Sequence, residues 1–567
     1  MEVFMSDYSN LNLSGTEKIK LASKHLRGTL VESLNTETTG NLLEDDIALV
    51  RFHGMYVQDD RDRRDERAAK KLERLYSFMI RLRLTGGFIP AQQWIDLHHI
   101  AGEYSTGVIK ITTRQTIQLH GILKSHVKPT LKSFNHSGLT TIATCGDINR
   151  NVLCSANPAV SPLYEEVYGY AKAISDKLLP KTNGYNEIWL DGEKLTNLEE
   201  ENDPLYKEWY MPRKFKIGIT IPPDNDVDIL TNDLGLIAIV EKGKLKGFNI
   251  AIGGGMSTTH GNPNHYARLA TVIGFADKEQ ILKAVYEVLT IQRDHGNRAD
   301  RKLARLKYTV DRLGLAWWKD ELERRCGFRL ADEQPYELTT REDYYGWEKD
   351  SRGLWNYTLF IENGRVLDDA KIALKSALLE VAQTYKANFH FTCNQNVIIG
   401  DVKKEDKDTI DEIIERYGVD KHTENVSGLR ANSIACVALN TCPLALAESQ
   451  RYLPSLISKI EPILEKHGLL KDEITLRMTG CPNGCARPFA AEIGFVGTGL
   501  GKYNLHISGD RVGFRLNTKY KESLGEEEIL AELETLFADY KKNRKKGESF
   551  GDFTHRTILK GDFVSRS

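Results

Sequence analysis

Four cysteines fall in two short stretches of the C-terminal third of the sequence. Cys436 and Cys442 stand in "ACVALNTCPLA", and Cys481 and Cys485 stand in "TGCPNGC". The spacing is Cys-x5-Cys, a gap, then Cys-x3-Cys. Structural zinc sites commonly place paired ligands about two to four residues apart, and the first pair is wider than that. Four thiolates also hold iron–sulfur clusters, with more varied spacing, and a turn of Pro482, Asn483 and Gly484 turns backbone amides toward sulfur. From the residues alone a four-iron cluster is favoured, with zinc and unliganded buried thiols as alternatives. Cys145, Cys154, Cys326 and Cys393 are scattered, and core packing is their default.

A second set of residues carries positive charge on apolar, strand-like stretches. Arg81 and Arg83 lie in "MIRLRLTGG"; Lys110, Arg114 and His120 in "IKITTRQTIQLHG"; Arg150 in "GDINRNV". Arg213, Lys214 and Lys216 lie in "MPRKFKIGI", and Arg298, Arg301, Lys302 and Lys307 in "HGNRADRKLARLKY". Alternate residues of a strand share a face, so Arg81/Arg83, Lys110/Arg114 and Lys214/Lys216 are each expected to aim at one region. Guanidinium groups bind oxyanions bidentately, and lysines add protons as well as charge. The expectation is one pocket for an anionic ligand. Neither a nucleotide phosphate loop nor a dinucleotide-binding glycine fingerprint is present.

The elements that must position these groups are duplicated. "GVIKITTRQTIQLHGI" (107–122) matches "NFHFTCNQNVIIGDV" (388–402), and "FMIRLRLTGGFI" (78–89) matches "YTLFIENGRVL" (357–367). In the same order, "RNVLCSANP" matches "ANSIACVALNTCP", "KIGITIPPDND" matches "TLRMTGCPNGC", and "FNIAIGGG" matches "YNLHISGD". Alternating apolar and polar residues mark strands, while 446–468 and 526–546 carry a helical period. The expected fold is α+β: two pseudo-symmetric halves of mixed sheets covered by helices, joined near residue 345. Its divisions are a flexible polar arm (1–50), a first pair of domains (51–145 and 146–345) and a second pair (346–425 and 426–567). The charged run 58–74 is expected to be a solvated face. Where the second half has Cys-Pro-Asn-Gly-Cys, the first has Pro222-Pro223-Asp224-Asn225-Asp226. One copy thus supplies soft ligands and the other positive charge, and a site between them would use both.

Bulk properties exclude several classes. Lys plus Arg is 77 and Asp plus Glu is 79, so no overall field attracts nucleic acid. No apolar run approaches the ~20 residues of a membrane span. The N-terminus lacks the basic start and apolar middle of a secretory signal, so a cytoplasmic protein is expected. Eight cysteines are too few for a disulfide scaffold in a chain of 567 residues.

Taken together, these motifs resemble the sirohaem-dependent sulfite and nitrite reductases, most specifically the haemoprotein (beta) type of the NADPH-dependent sulfite reductases. The similarity runs from about residue 25 ("HLRGTL", "RFHGMYVQDDRD") to about residue 560 ("GDFTHRT"). It implies ferredoxin-like half-domains at 51–145 and 346–425, and sirohaem- and cluster-binding domains at 146–345 and 426–567, with the cofactors at the interface between the halves. It implies that Cys436, Cys442, Cys481 and Cys485 bind a [4Fe–4S] cluster, Cys485 also bridging to the sirohaem iron. It places Arg81, Arg150, Lys214 and Lys216 around sulfite. Lys110, Arg114, Gln118, His120, Arg213, Arg298, Arg301, Lys302, Lys307 and Gln395 become candidates for holding the sirohaem carboxylates. The implied reaction is assimilatory six-electron reduction of sulfite to sulfide, with NADPH, FAD and FMN on a flavoprotein (alpha) partner and the polar N-terminal arm as its docking element. A ferredoxin-dependent sulfite or nitrite reductase is the alternative. Two departures stand out: Lys110 occupies a position where relatives often carry Arg, and the stretch around Cys145-Gly146 resembles ferredoxin-using members.

Overall fold

The computed structural model describes residues 12–181, 189–190, 193–194, 203–370 and 372–560. Four five-stranded sheets carry the fold, in two equivalent pairs. The first sheet runs Met55–Asp59, Tyr76–Arg81, Ile117–Ile122, Ile109–Ile111 and Arg365–Val366; its counterpart runs Gly346–Lys349, Trp355–Leu359, Val397–Val402, Asn388–Phe391 and Phe88–Ile89. Both are antiparallel throughout. Each therefore closes with a two-residue strand donated by the other half. Glycines permit the crossing: Gly87 (φ 79°) and Gly364 (φ 66°) precede the donated strands, and a Cβ on Gly87 would stand 2.5 Å from the Phe391 carbonyl oxygen.

The other two sheets are mixed. Leu153–Cys154, Ile217–Thr220 and Leu234–Glu241 run parallel, then Lys244–Ile252 and Thr271–Asp277 continue antiparallel. Ser433–Ala435, Leu476–Thr479, Ile493–Gly499, Lys502–Ile507 and Thr518–Leu524 repeat that order and those directions. Strand for strand, the duplication inferred from the sequence is present. Ile, Val, Leu and Phe from the sheets pack under amphipathic helices, notably Ala91–Tyr104 against Leu374–Tyr385, and Leu453–Lys466 against Glu526–Asn543. Among the described residues no helix is long and apolar enough to cross a membrane.

Two sequence expectations are corrected here. Residues 12–50 are not a loose arm. Gly15–Ala22, Leu30–Asn35 and Glu44–Leu49 are helices, with Leu26, Leu30, Leu42 and Leu49 in the core. Their polarity misled because Glu17 and Lys20 are buried as a pair (2.6 Å), and Lys20 also donates to the Met211 carbonyl (2.9 Å). The run 58–74 is only partly a solvated face. Its Arg61 donates to the carbonyls of Ala445 (2.6 Å) and Cys442 (3.2 Å), and Asp62 pairs with Arg451 (2.6 Å). That segment braces the loop carrying Cys442.

Candidate active site at the junction of the halves

Each mixed sheet ends its second strand in the turn the sequence singled out. Leu476–Thr479 leads into Cys481–Cys485, where Gly484 (φ 64°) makes the bend and lies against the Met256 carbonyl, 2.7 Å from where a Cβ would be. Two loops of the first half hold this turn: the Thr258 amide donates to the Pro482 carbonyl (2.8 Å), and the Thr113 hydroxyl to the Cys485 carbonyl (3.1 Å). Donors also face sulfur. The Thr479 hydroxyl and the Gly480 amide each approach Cys436 Sγ at 3.4 Å, and the Asn483 amide approaches Cys481 Sγ at 3.5 Å.

The four thiols share one region. Burial first, then the neighbouring Cys485, raises Cys436, Cys442 and Cys481, the last two to about 12. Yet no three Cys, His, Asp or Glu among the described residues are gathered closely enough for a single metal ion. Four thiols in one region match the number of thiolates that an iron–sulfur cluster takes. Amide and hydroxyl donors to sulfur suit thiolates.

Cys485 opens on a cavity lined by Arg114, Lys214, Lys216, Arg305, Arg487 and Asn483, and among the described residues no carboxylate lines it. Arg305 is neutralised by a bidentate pair with Asp233 (3.0 and 2.8 Å), and Arg487 by Asp228. Arg114 donates to Asn232 Oδ1 (2.9 Å) and the Asn151 carbonyl (2.7 Å), but its buried Nε has no partner. Among the described residues neither the Lys214 nor the Lys216 ammonium has a hydrogen bond or ion pair. Burial, then the neighbouring Arg213 and Arg305, bring Lys214 down to about 7. Burial, then Lys214, Arg114 and Arg305, hold Lys216 well below the usual lysine value. Three basic side chains with no carboxylate bonded to them around one cavity suit an anionic ligand, whose charge would restore the lysines' protons.

A second cationic pair lies at the 144–146 loop. Arg150 donates to the carbonyls of Thr144 and Gly146 (2.9 Å each). Arg81 donates to the Thr144 carbonyl (3.2 Å) and to Cys145 Sγ (3.1 Å), which gives the buried Cys145 a contact beyond core packing. The hydrogen-bond pattern orients Gln118 with its oxygen toward Arg81 Nε (2.9 Å) and its amide nitrogen toward His120 Nε2 (3.2 Å). His120 Nδ1 then donates to Gln58 Oε1 (3.0 Å). Burial, then Lys110 and Arg81, depress His120 to about 3, so it stays neutral. Gln118 and His120 therefore hold Arg81.

The remaining candidates divide. Lys110, buried and brought down to about 7 chiefly by burial, donates to the Asn363 carbonyl on the Cys436 side. It does not share Arg114's direction because its strand ends at Ile111. Arg83 likewise parts from Arg81, whose strand ends there, and bonds Ser175 (Oγ 2.9 Å). Arg213 lies 3.7 Å from Asp147, which Arg301 holds bidentately (2.6 and 2.9 Å). Arg298 is committed to Glu17 and the carbonyls of Tyr210 (2.7 Å) and Arg293 (2.9 Å). Lys307 is committed to the carbonyls of Gly255, Ser257 and Tyr266. Lys302 is exposed. Gln395 bridges the Ile111 carbonyl and the Ala435 amide (3.2 Å each), as Gln115 bridges both backbone groups of Cys154. Arg298, Arg301, Lys307 and Gln395 thus give their donors to the protein itself. Arg305 and Arg487, missed before, were within the quoted basic stretch and two residues past the cysteine turn.

The family described as "nitrite and sulphite reductase 4Fe-4S domain" matches residues 169–330, and the "nitrite/sulfite reductase ferredoxin-like half domain" matches 71–136 and 348–417. The sulfite reductase [NADPH] hemoprotein beta-component of Leptospira biflexa is 62% identical over 96% of this chain and 98% of that protein. The chain belongs to the nitrite and sulfite reductase family. The corresponding proteins of Staphylococcus haemolyticus (51% identical, 98% of this chain, 96% of that one) and Geobacillus thermodenitrificans (50%, 96% and 95%) agree. The solved Mycobacterium tuberculosis NirA protein superimposes with a TM-score of 0.78 over 97% of both chains at 23% identity, which shows the fold. As a member of this reductase family the protein is an oxidoreductase. The stretch matched as the 4Fe-4S domain contains only Cys326; the four grouped thiols belong to the later copy.

Proposed function

We propose that this protein is the haemoprotein subunit of an assimilatory NADPH-dependent sulfite reductase, which reduces sulfite to sulfide with six electrons. One observation carries the proposal: a cavity without carboxylates, holding two unpartnered lysines, opens directly on one of four grouped thiols. The residues fit the implied groups. Cys436, Cys442, Cys481 and Cys485 would hold a [4Fe–4S] cluster, and Cys485, the most exposed of the four, would stand on the side of a bound sirohaem. The orphaned Arg114 Nε, with Arg213 and Lys110, would answer sirohaem carboxylates, which could not be buried without cations. Sirohaem and cluster supply low-potential electrons to a sulfur ligand when bound.

The chain's own residues do the rest. Lys214 and Lys216 attract sulfite and neutralise it in a site where screening is weak. Arg81 and Arg150, fixed on the 144–146 loop, orient it. Each oxygen leaves as water and takes two protons, and Lys214, poised near 7, holds a proton at Nζ on the departing oxygen. Electrons come from a flavoprotein partner that carries FAD and FMN and oxidises NADPH in the cytoplasm.

An absorption spectrum with iron and acid-labile sulfide analysis tests this, followed by sulfide release from sulfite with a reduced dye. A coloured protein with both cofactors and sulfite turnover is expected. A colourless zinc protein, or a protein that turns over nitrite far better than sulfite, would overturn it.

A further inference from the structure

The two copies of the duplicated fold meet in an ion pair made by equivalent residues. Asp228 follows the Pro222–Asp226 turn with left-handed backbone (φ 47°, ψ 59°) and caps the short helix Ile229–Thr231. Arg487 follows the Cys481–Cys485 turn with the same backbone (φ 54°, ψ 47°) and caps Pro488–Ala490. Their side chains pair with each other, and both are buried. The same guanidinium donates through Nη1 to the Thr113 carbonyl (2.7 Å) and through Nη2 to the Cys393 carbonyl (3.1 Å). Thr113 and Cys393 are themselves equivalent, each opening the tight turn of its antiparallel sheet. One arginine thus bonds to three separate segments, one in each of the other domains. Asp228 in turn accepts from Arg477 and Arg341, so its charge is over-compensated and kept well below the usual carboxylate range.

Arg487 stands two residues after Cys485, and Thr113, which it grips, also holds the Cys485 carbonyl. The neighbour of Thr113 is Arg114, a wall of the cationic cavity. We infer that Arg487, seated on Asp228, is a positioning residue: it fixes Cys485 relative to Arg114 on the wall of the anion-binding cavity, a geometry on which the electronic coupling of cluster to haem would depend. The inference rests on the proposed cofactor arrangement. Arginine is required because its planar fork reaches the carboxylate and two divergent carbonyls at once. Lysine, a point charge, keeps the ion pair and loses the span.

The test uses the purified holoenzyme with its electron-donating partner. Iron, acid-labile sulfide and pigment in the wild type come first; their absence defeats the cofactor arrangement, whatever the variants do. Arg487→Lys is then compared with wild type at equal cofactor content. Expected are a weakened Mössbauer signature of exchange between haem and cluster, a kcat lower by about ten- to hundredfold, and a KM for sulfite within about twofold. Should Arg487→Lys fail to assemble, Thr113→Val decides, because it removes only the hydroxyl on the Cys485 carbonyl. A smaller shift of the exchange signature in the same direction supports the inference. Unchanged exchange and kcat in the fully loaded Arg487→Lys protein, or in Thr113→Val where that variant decides, overturns it.

Discussion

Replacing Glu17 by Gln removes the carboxylate that Lys20 and Arg298 share inside the protein. Among the described residues Asp147 remains nearby, already bidentate to Arg301 and 3.8 Å from Lys20. Stripping one partner from a buried pair costs ~3–5 kcal/mol. Lys20 limits the loss. Burial already lowers it to about 8, and without Glu17 it falls further and releases its proton near neutral pH, which points to the low end, ~3 kcal/mol. The helix Gly15–Ala22 cannot stand alone at this length, so the cost appears as local undocking, roughly a hundredfold in the opening equilibrium. Hydrogen exchange of peptides within residues 12–53 at pH 7 measures it, with the exposed Glu32→Gln as control. The sign with pH also follows. Lys20 titrates lower when docked than when free, so the undocked state binds more protons and docking strengthens as pH rises through 8 toward 10.5. The deficit of Glu17→Gln is therefore largest at low pH and shrinks as pH approaches 8, where Lys20 is losing its charge even in the parent protein. Exchange within twofold of wild type, or an equal effect from Glu32→Gln, would refute the view that this helix is clamped by buried charge.

Other outcomes follow from the same geometry. In the substrate-free protein Lys214 loses its proton near pH 7, so kcat/KM for sulfite should fall above that pH by up to about tenfold per unit, after correction for sulfite's own ionisation. Lys214→Met should flatten that limb and raise KM about ten- to hundredfold, as losing a charge-assisted hydrogen bond of ~1.5–3 kcal/mol implies, with cofactor spectra unchanged. Gly484→Ala forces a Cβ against the Met256 carbonyl at positive φ, costing at least ~1–2 kcal/mol; iron and sulfide per chain should drop. His120→Asn should lower turnover by loosening Arg81 while leaving the pH profile between 6 and 9 in place, since His120 is neutral throughout; a new limb in that profile would count against its role.

The duplication was legible because strand alternation and turn residues recur in order, and the cysteine pairs because their spacing survives without tertiary context. The destinations of the charged side chains were not. Arg298 and Lys214 look alike in sequence, yet among the described residues one meets Glu17 and the other has no hydrogen bond or ion pair, and only the fold supplies the partner. Alternation misdirected Arg83 and Lys110 because strands end at Arg81 and Ile111. Helices with buried Glu17 and Lys20 passed for a solvated arm because hydropathy counts a charge without its counter-charge. The strand Phe88–Ile89 is too short to carry a period at all.

That short strand and its twin Arg365–Val366 have a practical consequence. Because each antiparallel layer takes its last ribbon from the opposite copy, neither copy completes its sheet alone. A chain cut near residue 345 would yield two pieces, each with an unzipped edge whose only complement is the other piece. Expressed together they should find each other and refold; expressed singly each should aggregate.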